Sequence, residues 1–216
     1  MKSLLDEELE SLYSSLIKMG LLIETAIKAA VVAFTHKDMQ AATSTIQMEE
    51  DINSKCKELE EFAIKLLLRY QPVAKDLRKI SSALRMVNDL KRIGNQASDI
   101  ASLVIHLCDK NEDYILDNLV QMADKAIVMV KGSLDAFATQ DSTLARRVIA
   151  KDDEVDELFL QIRTNIVELI QRAPRMGESE IDLLMISKYL EKIADHAVSI
   201  ATWVIYSITG EKEAKG

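Results

Sequence analysis

The sequence predicts an all-α protein made of two tandem antiparallel three-helix bundles related by internal duplication. Three observations lead there. The stretch Leu84 to Ile105 returns one hundred positions later as Leu184 to Ile205, with Leu90, Ile93, Ala97, Ile100, Ala101, Val104 and Ile105 all unchanged, so one unit is used twice. Hydrophobic residues make up 48% of the 216 positions while aromatics make up only 5%, and two prolines and six glycines are too few for a turn-rich β protein. Long apolar periods of helical spacing are separated by short polar breaks.

The first break fixes the first helix. Leu9, Leu12, Leu16, Met19, Ile23, Ile27, Ala30, Val31 and Phe34 share one side from about Leu4 to Phe34, and Thr35-His36-Lys37-Asp38 interrupts them. Asp38 is a good N-cap for a second helix, which runs to about Tyr70 and stops before Gln71-Pro72. A third helix starts near Ala74 and carries the first copy of the repeated stretch to about Cys108, where Asp109 to Asn111 make a polar connection. The first bundle thus spans residues 1–110 and the second 111–216.

The second half follows the same plan. Phe34 and Asp38 meet Phe137 and Asp141, Met19 meets Met122, and Pro72 meets Pro174. Helices are expected over about Glu112–Phe137, Asp141–Gln171 and Glu178–Thr209, with Gly210 as the closing C′ residue. Short connections make antiparallel bundles the economical arrangement.

Composition narrows the function. A formal net charge of −8 argues against nucleic acid as a partner, because phosphate contacts need a concentrated basic face. Met1 to Glu10 do not read as a secretory leader. The most apolar stretch, Leu16 to Phe34, contains Lys18, Glu24 and Lys28 and so does not read as a membrane span. Cys56 and Cys108 have no metal-ligand spacing and read as free thiols of a reducing compartment, which points to the cytoplasm. The nine methionines read as core filler.

Two acid pairs stand out. Asp152 and Asp156 on helix five, and Glu191 and Asp195 on helix six, are each four apart and so stack one turn above each other. Both pairs fall on the shoulders of their apolar faces. If the two helices are neighbours, four carboxylates could converge on one groove, where they repel unless a cation neutralises them. Oxygen-only ligands suit hard ions such as ferric iron, manganese, magnesium or calcium. The bland reading is two solvated pairs balanced by Lys188 and Lys192. Asp153 falls further toward solvent. His196 follows Asp195 and reads first as a boundary residue, second as a ligand; His36, His106 and Trp203 read as structural. In the first half the matching positions are Glu49, Asn53, Lys91 and Asn95. An ammonium cannot ligate a cation, so one site is expected rather than two.

The doubled motif resembles the PhoU proteins, accessory regulators of bacterial phosphate uptake. The third-helix signature of that family, Leu-Glu-Arg-Ile-Gly-Asp, is similar to Leu190-Glu191-Lys192-Ile193-Ala194-Asp195 and to Leu90-Lys91-Arg92-Ile93-Gly94-Asn95. The second-helix acid-x-x-x-Asp motif is similar to Asp152-Asp153-Glu154-Val155-Asp156 and, in degenerate form, to Glu49-Glu50-Asp51-Ile52-Asn53. The resemblance implies a cytoplasmic negative regulator of phosphate-starvation signalling. It would be an adaptor between the nucleotide-binding subunit of the phosphate ABC transporter and a membrane sensor histidine kinase. It also implies a multinuclear cluster of iron or another hard transition-metal ion on Asp152, Asp156, Glu191 and Asp195, with Asp153 as a lesser ligand. The amphipathic helical surface adds the expectation of a homodimer.

Two other classes compete. A carboxylate-bridged metal enzyme would carry Glu-x-x-His on paired helices. Three residues before His36, His106 and His196 stand Ala33, Leu103 and Ile193 instead. No nucleophile–base pair or Gly-rich phosphate loop is visible either, so the chain reads as non-enzymatic. A scaffolding coiled coil would be rod-like and take up no metal.

Overall fold

The computed structural model describes residues 3–109, 117–172 and 177–211, and every element among them is helical. Seven helices follow in order: α1 (Leu4–His36), α2 (Met39–Tyr70), α3 (Ala74–Asp109), α4 (Asp117–Thr139), α5 (Ser142–Ile149), α6 (Asp152–Arg172) and α7 (Gly177–Thr209). The expected starts of helix four at Glu112 and of the turn at Pro174 lie outside the described residues.

The duplication is visible in the caps. Asp38 accepts from the backbone N–H groups of Gln40 and Ala41, and Asp141 does the same for Thr143 and Leu144, satisfying donors that the helix leaves open. Each is preceded by a left-handed residue that ends the helix before it, Lys37 (φ 51°) and Gln140 (φ 53°). Ser3 and Asp6 close a capping box at the start of α1. Gly210 closes α7 with φ 81°, its N–H donating to the Tyr206 carbonyl.

One expected helix is broken. The spacing predicts a fifth helix running unbroken from Asp141 to Gln171, as α2 does in the first half, but Ala150 and Lys151 form a turn between α5 and α6. Neither residue is a helix breaker, so local propensity does not dictate the turn. Gly132 lets α5 approach α4 so closely that a Cβ there would stand 2.8 Å from Val148 Cγ2. Beyond the turn, α6 restarts with Asp152 buried.

The halves are not separate bodies on a linker. Their apolar residues form one continuous core in which α3 packs on α7 and α1 on α4. Within the first bundle, Gly94 sets the spacing of α3: a Cβ there would meet Ile52 Cγ2 at 2.8 Å and Ile23 Cδ1 at 3.0 Å. Between α1 and α4, the Tyr13 and Phe137 rings tilt against each other at 4.6 Å.

The two copies of the repeated stretch cross antiparallel about a pseudo-twofold axis. Asp89 of α3 takes two bonds from α7, one from His196 Nδ1 at 3.0 Å and one from Ser199 Oγ at 2.7 Å. A carboxylate can only accept, so this contact places a proton on Nδ1. One hundred positions on, Tyr189 stands where Asp89 does and Asp99 where Ser199 does. Burial and then the Asp99 charge raise the Tyr189 hydroxyl pKa, while partial burial and then Glu49 raise that of Asp99. The crossing therefore has a polar clasp on one side and a tyrosine–acid pair on the other.

Two expectations follow. Gly94→Val should cost about 1–3 kcal/mol through overpacking against Ile52 and Ile23, read as a lower urea midpoint. Asp89→Ala should cost about 1–3 kcal/mol by stranding His196 and Ser199. His196→Ala combined with it should lose less than the sum of the two single changes, since both remove the same bond.

Candidate functional site

Helix register sets the two acid pairs at matching levels of neighbouring helices. Residues 173–176 join α6 to α7, and the two helices pack antiparallel. Lys188 of α7 lies over the Phe159 ring of α6, 5.0 Å from its centroid. One turn on along α7 stands Glu191, and one turn back along α6 stands Asp156. A further turn in each direction brings Asp195 level with Asp152. By register, the four carboxylates therefore line up along one α6–α7 seam.

Their surroundings differ. Asp152 is 2% exposed in the first turn of α6, and Asp156 is half-buried. Asp153, the lesser candidate, is exposed. Glu191 is ion-paired with Lys188, and Asp195 with Lys192 at 2.6 Å. Each of these two acids is thus neutralised by a lysine three residues before it, the balance that the bland reading anticipated. Among the described residues, no three of His, Cys, Asp and Glu are gathered in an arrangement that could hold a metal ion. The donor chemistry nonetheless fits a hard cation: the seam offers carboxylate oxygens only, and Asp152 Oδ2 and Glu191 Oε2 are both sealed from solvent.

Two contacts made next to the acids were not legible in the sequence. His196 points away from the acids and across to Asp89 of the first bundle, so it does not complete the ligand set. Glu154, next to the predicted acids, reaches instead to Lys125 of α4, whose hydrogen bond and charge hold its carboxyl below the usual range. Only the partner helix, remote in sequence, could have identified either.

The first-half counterpart is a different environment. Asn53 Oδ1 and Asn95 Oδ1 are buried without a hydrogen bond. Lys91 acts on Cys56, whose thiol is pushed up to about 12 by burial and then by Glu60, with Lys91 opposing. An ammonium and two amides have replaced three of the four carboxylates. The largest groove among those described, about 480 Å³ between α1 and α2, is lined by Ser15, Lys18, Lys55 and Phe62 and includes none of the predicted acids.

Comparison with known proteins gives the family and the fold. The family model described as the PhoU domain matches twice, over residues 16–104 and 119–204. A phosphate-specific transport system accessory protein PhoU homolog of Clostridium acetobutylicum is 31% identical over 212 residues, covering 98% of this chain and 97% of that one. Its counterpart in Pseudomonas aeruginosa is 34% identical over 206 residues, covering 94% and 84%. The crystal structure of PhoU from Pseudomonas aeruginosa superposes with a TM-score of 0.92 at 34% identity, over 95% of this chain and 99% of that one. The phosphate transport system regulatory protein PhoU from Streptococcus pneumoniae gives 0.91 at 27% identity, over 97% and 99%. The chain belongs to the PhoU family of phosphate transport accessory proteins.

Proposed function

We propose that this protein is a cytoplasmic, non-catalytic negative regulator of phosphate uptake and phosphate-starvation signalling. In this reading it is an adaptor between the nucleotide-binding subunit of the phosphate ABC transporter and a membrane sensor histidine kinase. Family membership supports the phosphate-transport setting, since the relatives are named accessory or regulatory proteins. Among the described residues, no helix is long and apolar enough to cross a membrane, so contact with membrane partners would be made from the surface. A homodimer belongs to the same reading. The exposed apolar side chains Leu160, Val167, Ile181 and Met185 on α6 and α7 support it.

The observation that carries the regulatory reading is the doubled match to the PhoU domain; metal binding is the part of the proposal that falls on the acid seam of the second half. Asp152, Asp156, Glu191 and Asp195 would hold iron or another hard transition-metal ion, with Asp153 at the edge of the set. The charge of a bound ion would take over the neutralising role of Lys188 and Lys192. The Asp89–His196 clasp lies one residue beyond Asp195, so the seam is tied directly to α3. That link gives the second bundle a route by which its state could bear on the first.

Calorimetric titration of chelator-treated protein with Mn²⁺ should show uptake. The double change Glu191→Ala, Asp195→Ala should weaken it by about tenfold or more, and Lys188→Ala, Lys192→Ala should tighten it by removing the competing cations. Equal uptake by wild type and the acid-less form would take the seam out of the account. The adaptor role is checked with the purified transporter ATPase subunit and the cytoplasmic part of the kinase. Retention of each on the immobilised chain is expected, and failure of both to bind would sink the reading.

A further inference from the structure

The turn between α2 and α3 has a chemistry that the rest of the molecule lacks. The chain carries a net −8, yet from Ile64 to Lys79 there are five cations and a single acid, a local net of +4. The same segment holds the two most exposed large apolar side chains among the described residues, Val73 at 77% and Leu68 at 74%. Ile64 and Leu77 add two more, each one turn further into its helix.

Nothing in the fold requires this. Val73 sits in the three-residue connection Gln71 to Val73, which Pro72 stiffens, and positive φ at Gln71 and Ala74 brackets it. The buried face of α2 here is carried by Ala63 and Leu66, so Ile64 and Leu68 are surplus to the core. The only acid of the segment, Asp76, is paired with Lys79 at 3.3 Å, and Glu8 of the adjacent α1 is paired with Arg69 at 3.7 Å. Lys65 and Lys75 stand exposed beside the apolar residues. Glu7 projects from the solvent side of α1, opposite its buried face. Tyr70, half-buried under the Arg69 guanidinium, adds an amphipathic ring at the same level.

Apolar side chains at the tip of a turn, ringed by lysine and arginine, match the boundary between headgroups and acyl chains of an anionic bilayer. We infer that the α2–α3 turn is a membrane-surface contact, binding anionic phospholipid end-on. Val73, Leu68 and Leu77 enter the headgroup boundary, and Lys65, Arg69 and Lys75 meet the lipid phosphates. An acidic protein segment would answer the cations equally well. It would not account for large apolar side chains projecting into solvent from a helix end. The contact is independent of the protein partners proposed above, because lipid alone is its ligand; its failure would leave those partners untouched.

The test is co-sedimentation of the full chain with vesicles of phosphatidylglycerol and phosphatidylethanolamine, beside vesicles of phosphatidylcholine alone. Binding to the anionic vesicles only, weakening as salt rises, is expected. Leu68→Gln with Val73→Gln, and separately Lys65→Gln with Lys75→Gln, should each reduce that binding by about tenfold or more. All four positions are exposed, so circular dichroism and the thermal midpoint should stay at wild-type values. No binding to anionic vesicles at low salt, or binding that neither double variant weakens, overturns the inference.

Discussion

The packing of α3 on α7 is the constraint on which the rest of the molecule depends. These two helices are copies of one sequence, and their crossing fuses two three-helix bundles into one apolar core. A self-complementary surface of Leu, Ile, Ala and Val explains why those positions recur unchanged while the flanks diverge. Small residues matter in such a surface. Gly94 leaves room for Ile52 and Ile23, and Ala97, Ala101, Ala197 and Ala201 are fully buried, which keeps the backbones close and the packing dense. The Asp89 clasp then adds a directional term that an apolar surface cannot supply, fixing the angle at which one half meets the other.

Divergence between the copies is mostly a matter of charge. The second half keeps four carboxylates on one seam and offsets two of them with lysines of the same helix. In the first half a lysine and two asparagines stand in the seam itself, so the positive charge is built in. A duplicated fold has thus been given two electrostatic characters on one helical plan. The same division holds at the helix ends: the α2–α3 turn collects cations and exposed apolar residues in a chain that is otherwise strongly acidic. Acid seam and basic tip belong to different parts of the chain, the one on α6 and α7 and the other between α2 and α3.

Local chemistry made much of this legible along the chain. Helical spacing, the doubled stretch and the capping residues Asp38 and Gly210 placed the helix boundaries to within a residue or two wherever a break had its own local cause. The turn at Ala150–Lys151 was not legible, because neither residue disfavours helix. The acid pairs were legible as pairs, since spacing of four on a helix is a local fact. That His196 turns to Asp89 and Glu154 to Lys125 was not, because each partner belongs to another helix.

The amino-acid order by itself therefore determined the helices, their apolar faces, the duplication and the four carboxylates with their lysines, because each follows from spacing along a single helix. The tertiary structure alone decided that the halves share one core, that α5 and α6 part company, and which charges meet across the α3–α7 crossing. Those outcomes depend on which faces win the competition for burial, and that competition is settled between helices, not along them.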